Sequence, residues 1–326
     1  MASEDSGGKP PRGSDRPPHP ADPIRRHTPL PWEKPKALAD DPDAQRRLDA
    51  ILANPSYIPA TEDSEFLGAD LLRGPRLQIE YLKPELTLRR LGIEETIVVF
   101  GSTRIPEPAA AKRELEAIRK ELATTRSPSR AQKRRLTAAE RIVAKSRYYE
   151  VARAFGRLVA SADWAAAGKR AVVMTGGGPG IMEAANRGAF EGDGESIGLN
   201  IDLPREQYPN PYLTPELSFR LRYFAIRKLH LVKRAKALVA FPGGYGTMDE
   251  LFETLTLIQT RKIKPIPVVL VGEAFWRGAV DFGFLVDEGV IDPEDAELFW
   301  YAETADEIWD CVLRWYEEAG RPLAPR

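Results

Sequence analysis

Cysteine and histidine are nearly absent from this chain. A single cysteine, Cys311, stands among 326 residues. It excludes an intrachain disulfide and any cysteine-cluster metal site, and it suits a reducing, cytoplasmic setting. Of three histidines, His19 and His27 fall in a proline-rich stretch, leaving His230 alone in the body of the sequence. Histidine triads and zinc sites are thereby set aside. No apolar run is long enough to span a bilayer, and the N-terminal residues lack the apolar centre of a signal peptide. Nor is there an excess of either charge: 47 basic side chains face 48 acidic ones. Nothing in that balance calls for nucleic acid or an acidic membrane as partner. Chemistry must therefore rest on carboxylates, arginines, hydroxyls and backbone amides.

What is present is a regular alternation. Residues 1–35, rich in Pro, Gly, Ser and charge, read as a disordered tail. Residues 36–95 read as a partly helical extension, with helices expected over 43–53 and 62–72 and a lead into the core over 81–90. From residue 96 to about 320, short apolar strands alternate with helices. Strands are expected at 96–100, 171–174, 196–201, 237–241, 267–271 and 298–301, and helices at 147–160, 181–190, 219–235, 251–259, 275–287 and 305–318. This is the pattern of an α/β fold, a doubly wound, mostly parallel, Rossmann-like sheet covered on both faces. A charged, helix-prone insertion at about 109–145 interrupts it. Ligands of such sheets sit beyond the carboxyl ends of the strands, and the glycine-bearing loops at 101, 176 and 243 all fall there.

The strongest local signal is Phe241-Pro242-Gly243-Gly244-Tyr245-Gly246-Thr247-Met248-Asp249-Glu250. It reads as strand, glycine turn and helix, with exposed amides and a positive helix end as a seat for phosphate. A carboxylate, Glu250, is expected in the first helical turn. The turn Thr175-Gly176-Gly177-Gly178-Pro179-Gly180 follows the second strand, and Gly101-Ser102-Thr103-Arg104 follows the first. Neither a G-x-G-x-x-G after the first strand nor a G-x-x-x-x-G-K-S/T loop occurs, which argues against a dinucleotide site and a P-loop ATPase. The glycines by themselves say only that something phosphorylated is bound.

Pro242-Gly243-Gly244-Tyr245-Gly246-Thr247 with Glu250, preceded by Arg227-Lys228, closely resembles the LONELY GUY family of cytokinin riboside 5'-monophosphate phosphoribohydrolases, whose relatives are often labelled lysine decarboxylases. Ile181-Met182-Glu183 after the second glycine turn and Gly101-Ser102 after the first strand extend the likeness over about residues 96–270, minus the insertion. The resemblance implies cleavage of the N-glycosidic bond of a nucleoside 5'-monophosphate, AMP or an N6-modified AMP, to free base and ribose 5-phosphate, with no metal or organic cofactor. It implies Arg227 and Glu250 as the catalytic pair, and Gly243, Gly244, Gly246 and Thr247 as the phosphate loop. A homodimer or larger homo-oligomer is also implied. One departure stands out: the family often has Met-His-Glu before Arg-Lys, where this chain has Phe224-Ala225-Ile226. A noncatalytic nucleotide or molybdenum-cofactor carrier of the same fold is the alternative. No pyridoxal-binding lysine motif supports a decarboxylase.

Each residue also has a plain explanation. Thr247-x-x-Glu250 fits a capping box, with Thr247 as N-cap. Arg227 fits a surface arginine whose stem covers apolar area, on a face expected to include Arg220, Phe224, Leu231 and Arg234. Lys228 is either a weak phosphate charge or an exposed helix lysine. Glu183 either supports ribose binding or complements the helix dipole. Ser102 and Thr103 contact phosphate or base, or only shape a turn. Arg104 and Tyr245 are weaker candidates, Tyr245 as a shield for the pocket or a subunit contact. Gly177 and Gly178 are expected to approach the ligand, and His230 to serve packing rather than proton transfer.

Overall fold

A computed structural model describes residues 30–164, 170–204, 208–321 and 323. Most of the expected tail, with His19 and His27, lies outside the described residues. The chain divides into two compact units, one up to Leu72 and one from Arg73 onward. In the first, helices α1 (Ala44–Leu52) and α2 (Ser64–Gly68) bury no side chain. Asp63 caps α2 by accepting the Phe66 N–H at 2.9 Å.

The second unit opens with α3 (Arg73–Arg90) and continues through β1 (Glu95–Phe100), α4 (Pro108–Ala123), α5 (Arg130–Lys145), α6 (Arg147–Ser161), β2 (Ala171–Thr175), α7 (Ile181–Glu191), β3 (Ser196–Ile201) and β4 (Ser218–Leu221). Then follow α8 (Phe224–Lys233), β5 (Ala235–Ala240), α9 (Tyr245–Gln259), β6 (Val268–Val271), α10 (Glu273–Ala279), α11 (Phe282–Asp287), β7 (Trp300–Ala302) and α12 (Ala305–Glu318). The seven strands form one sheet in the order β4-β3-β2-β1-β5-β6-β7, every pairing parallel.

Strand periodicity splits the core into two layers. Ile97, Val99 and Val173 pack with α6, α7 and α12, whereas Val98, Phe100, Val172 and Met174 pack with Leu88 of α3, Leu231 of α8 and Leu251 of α9. The doubly wound expectation holds. The sheet winds outward from β1 to β4 and then returns to place β5 beside β1. In sheets of this kind, the reversal between β1 and β5 is where ligands sit, beyond the carboxyl ends of the strands.

Two expected elements change. The helix expected over 219–235 is a strand followed by a helix: Phe219 and Leu221 alternate with exposed neighbours along the edge strand β4, and α8 begins only at Phe224. Arg220 consequently leaves the helix and shares no face with Arg227. The helix expected over 275–287 is broken into α10 and α11, with Val280 extended and the Asp281 carboxylate capping Phe284 N–H at 3.0 Å. Within the insertion, α4 and α5 pack together, and two of their arginines meet acids across the pair: Arg119 with Glu140 at 3.0 Å and Arg135 with Glu121 at 2.8 Å. Such exposed pairs add little stability. Among the described residues, no helix is long and apolar enough to cross a membrane.

Candidate active site

Backbone hydrogen bonds stitch the three loops at the sheet reversal together. Ser102 N–H donates to the Pro242 carbonyl at 3.0 Å, and Ile181 N–H donates to the Ser102 carbonyl at 3.2 Å. Ser102 Oγ accepts the Arg104 N–H at 3.1 Å, a local turn bond. Gly101 is buried against Ile181, with no room there for a Cβ. Ser102 and Gly101 thus act first as joinery between loops. Arg104 is exposed.

The turn after β2 is held by buried amides that sequence reasoning missed. Gly177 has φ +71°, and a Cβ there would lie 2.2 Å from Asn200 Oδ1, so only glycine fits. Its carbonyl accepts from the Asn210 N–H at 2.9 Å and from Asn200 Nδ2 at 3.3 Å. Asn210 Nδ2 donates to the Gly178 carbonyl at 3.1 Å and to Asn186 Oδ1 at 3.0 Å, which also accepts the Thr175 hydroxyl at 2.8 Å. The carbonyls of Gly177 and Gly178 therefore serve the scaffold. The available signal was an asparagine inside an apolar strand (Asn200) and another among alanines on a buried helix face (Asn186), since buried amides demand partners. Glu183, in the first turn of α7, accepts the Tyr149 hydroxyl at 2.8 Å. Burial, reinforced by Glu183, pushes the Tyr149 phenol well above its ordinary range.

The loop after β5 is built differently. Gly243 lies against the buried Thr247 side chain, where a Cβ would sit 2.0 Å from Thr247 Oγ1. Gly244 is the N-cap of α9, and no side chain caps that helix. Thr247 and Met248 N–H both return to the Gly244 carbonyl at 3.0 Å. Among the described residues, the amides of Gly243, Gly244, Tyr245 and Gly246 have no partner. They form a nest at a positive helix end, suited to an anion. Tyr245 projects outward, 96 % exposed.

The expected capping box does not form. Helix α9 starts at Tyr245, two residues before Thr247. Glu250 consequently occupies the second turn and turns inward, 4 % exposed, with Oε2 buried and unpartnered. Burial pushes its carboxyl up to about 7, against the opposing pull of Arg227 and then Lys228. Arg227 is half-buried, with Nε also buried and without a partner. Burial lowers its pKa from the ordinary guanidinium value, while Glu250 and Asp249 act the other way. A carboxyl and a guanidinium thus share a desolvated place without bonding each other, each with a buried polar atom that has no protein partner among the described residues.

Lys228 is neither exposed nor free: its ammonium binds Asp249 at 2.9 Å and Glu253 at 2.8 Å. Those partners, with Tyr245, Met248 and Phe252, line an open groove of ≈ 790 Å³ beside the nest. His230 is fully buried, stacked on Tyr81 at 5.2 Å, and its Nε2 lies 3.1 Å from the Tyr81 carbonyl. A carbonyl only accepts, so Nε2 carries a proton, and burial lowers the imidazole pKa from its ordinary value. Among the described residues, no group of three or more His, Cys, Asp or Glu side chains is arranged to hold a metal ion.

Gly176 was not singled out from sequence, yet it faces the arginine. A Cβ there would meet Arg227 Nη2 at 2.6 Å and Met182 Sδ at 2.9 Å. Both are ends of flexible side chains, so Gly176→Ala is expected to fold with little change in Tm while displacing the guanidinium. A roughly 10- to 100-fold loss in kcat/KM should follow. Wild-type kinetics in Gly176→Ala would show that the arginine's place beside Gly176 is immaterial.

A family model described as "Possible lysine decarboxylase" matches residues 182–312. Cytokinin riboside 5'-monophosphate phosphoribohydrolase LOG3 of Arabidopsis thaliana is 32 % identical over 142 residues, 42 % of this chain and 64 % of that protein. The resemblance to the LONELY GUY family is borne out. A second relative, the pyrimidine/purine nucleotide 5'-monophosphate nucleosidase of Escherichia coli K12, is 30 % identical over 134 residues, 36 % of this chain and 27 % of that protein. The chain therefore matches less than two thirds of the length of either relative. Among solved structures, a Moco carrier protein from Chlamydomonas reinhardtii is 20 % identical and covers 69 % of this chain and 99 % of its own, with a TM-score of 0.39. The two curated relatives, at 32 % and 30 % identity, are both named for hydrolysis of nucleoside 5'-monophosphates.

Proposed function

We propose that this protein hydrolyses the N-glycosidic bond of a purine nucleoside 5'-monophosphate, AMP or an N6-modified AMP, to free base and ribose 5-phosphate. The observation that carries the reading is the buried, unbonded pair Arg227–Glu250 beside the open amides of residues 243–246. In this reading the amides take the 5'-phosphate, aided by the helix end. The C1'–N bond breaks with its electron pair passing to the base nitrogen, and positive charge develops on the ribose. The Glu250 carboxylate stabilises that charge and aligns a water for attack on C1', then takes the water's proton, which is passed to the departing base. Arg227 holds the ribose phosphate and favours the ionised form of Glu250 against the effect of burial. Lys228, committed to Asp249 and Glu253, holds the groove wall rather than the phosphate. Glu183 lends its remaining oxygen to the ribose hydroxyls. Met248 and Phe252 offer an apolar wall to the base.

A panel of nucleoside 5'-monophosphates, N6-substituted AMPs included, tests the reading by release of base and ribose 5-phosphate. Binding across the panel without turnover would instead favour a carrier. The working form of Glu250 is the carboxylate, so kcat/KM is expected to rise with pH through about 7. A rate that falls through that range would assign Glu250 the role of acid. A cytoplasmic homo-oligomer completes the proposal, and an active species with the mass of one chain in light scattering would remove the oligomer.

A further inference from the structure

Arg227 makes no side-chain hydrogen bond or ion pair among the described residues. Its guanidinium is therefore placed by its own backbone and by what crowds it. The backbone link is direct: Arg227 N–H donates to the Tyr223 carbonyl at 3.2 Å. Tyr223 is the N-cap of α8 and supplies no side-chain cap. Its N–H, at 3.2 Å, and that of Arg222, at 2.8 Å, are both taken by the carboxylate of Glu80, which lies on α3.

That geometry has a familiar counterpart within single helices. In a capping box, a Glu or Gln at the third helical position reaches back to the N-cap amide. The third position of α8 is Ile226, which has no polar side-chain atom. Glu80 delivers from a second helix the carboxylate that Ile226 cannot, at the end of α8 where negative charge is favoured.

The rest of α3 keeps Glu80 in register with α8. Arg76 Nε donates to the Tyr223 hydroxyl at 3.0 Å. The His230 ring bonds the Tyr81 carbonyl. At the far end, the Glu85 carboxylate meets Arg234 at 2.8 Å and Lys233 at 3.0 Å, and Arg234 foremost holds its carboxyl down at about 2. Pro84, four residues after Glu80, lacks the N–H that would bond the Glu80 carbonyl, yet α3 runs on to Arg90.

We infer that Glu80 is a positioning residue for the reaction proposed above: it fixes the first turn of α8 and, through it, the Arg227 guanidinium at Glu250. The inference rests on the nucleosidase reading. Its test therefore combines kinetics with a readout that needs no turnover.

In Glu80→Ala, kcat/KM for AMP is expected to fall about 10- to 100-fold. The ascending limb near pH 7 should move upward, because a displaced Arg227 no longer favours the Glu250 carboxylate. Glu80→Gln, which keeps an acceptor oxygen, should recover much of the rate. Adding Ile226→Glu to Glu80→Ala should do the same by restoring a capping carboxylate. In the full-length protein, amide hydrogen exchange should quicken over residues 222–228 in Glu80→Ala and be slowed again by Ile226→Glu. An inert wild-type protein would defeat the nucleosidase reading, leaving exchange and ribose 5-phosphate affinity to decide whether Glu80 places Arg227. Folded Glu80→Ala with unchanged exchange, affinity and pH profile would overturn the inference. So would a general loss of stability that Ile226→Glu does not relieve.

Discussion

Glu250→Gln is expected to give a folded protein that turns over roughly 10²- to 10⁴-fold more slowly, yet is more stable than wild type in alkaline solution. Both effects come from one carboxylate. Burial raises its folded pKa from 4.5 to about 7, so the folded protein retains a proton that the unfolded chain releases. Stability from that proton is fully present below pH 4.5 and is lost as the pH rises through 7. The loss amounts to about 3 kcal/mol once Glu250 is ionised in both states. Glutamine carries no such penalty. Chemical denaturation should find the two proteins similar at pH 4 and the variant ahead by about that amount at pH 8. A capping glutamate would behave otherwise, since glutamine serves a capping box too and would leave both stability and rate nearly unchanged. That outcome would return Glu250 to a structural role.

Arg227→Ala is the second large effect. Removing the cation should lower kcat/KM by about 10²- to 10³-fold and weaken ribose 5-phosphate binding. It should also shift the pH–rate profile. Arg227 is the largest influence holding the Glu250 pKa down, so the ascending limb should climb above pH 7 in the variant. Arg227→Lys restores charge but not the planar fork, and should recover the limb more fully than the rate. Unchanged affinity and rate in Arg227→Ala would remove the arginine from the site.

Much of this was legible in the sequence because glycine and buried strands write themselves locally. The loops at 101, 176 and 243 converge where the alternation of strands and helices said they would. What was hidden depends on contacts between distant segments. β4 is four residues long with only Phe219 and Leu221 buried, too short a period to tell from the helix that follows. The start of α9 was placed late because Gly243, Gly244 and Gly246 are poor helix formers, yet the helix includes Gly246. The partners of Lys228 lie on another helix, and the asparagines that bolt the second glycine turn come from α7, β3 and the loop after it. Glu80 was invisible for the same reason: its capping role exists only across two helices.

Incubating AMP with wild type and with Glu250→Gln side by side, and separating the products, is the most direct measurement. Adenine and ribose 5-phosphate in equal amounts from wild type, and almost none from the variant, are the expected result. Adenosine with inorganic phosphate, or adenine release undiminished in the variant, would contradict glycosidic hydrolysis at the Arg227–Glu250 pair.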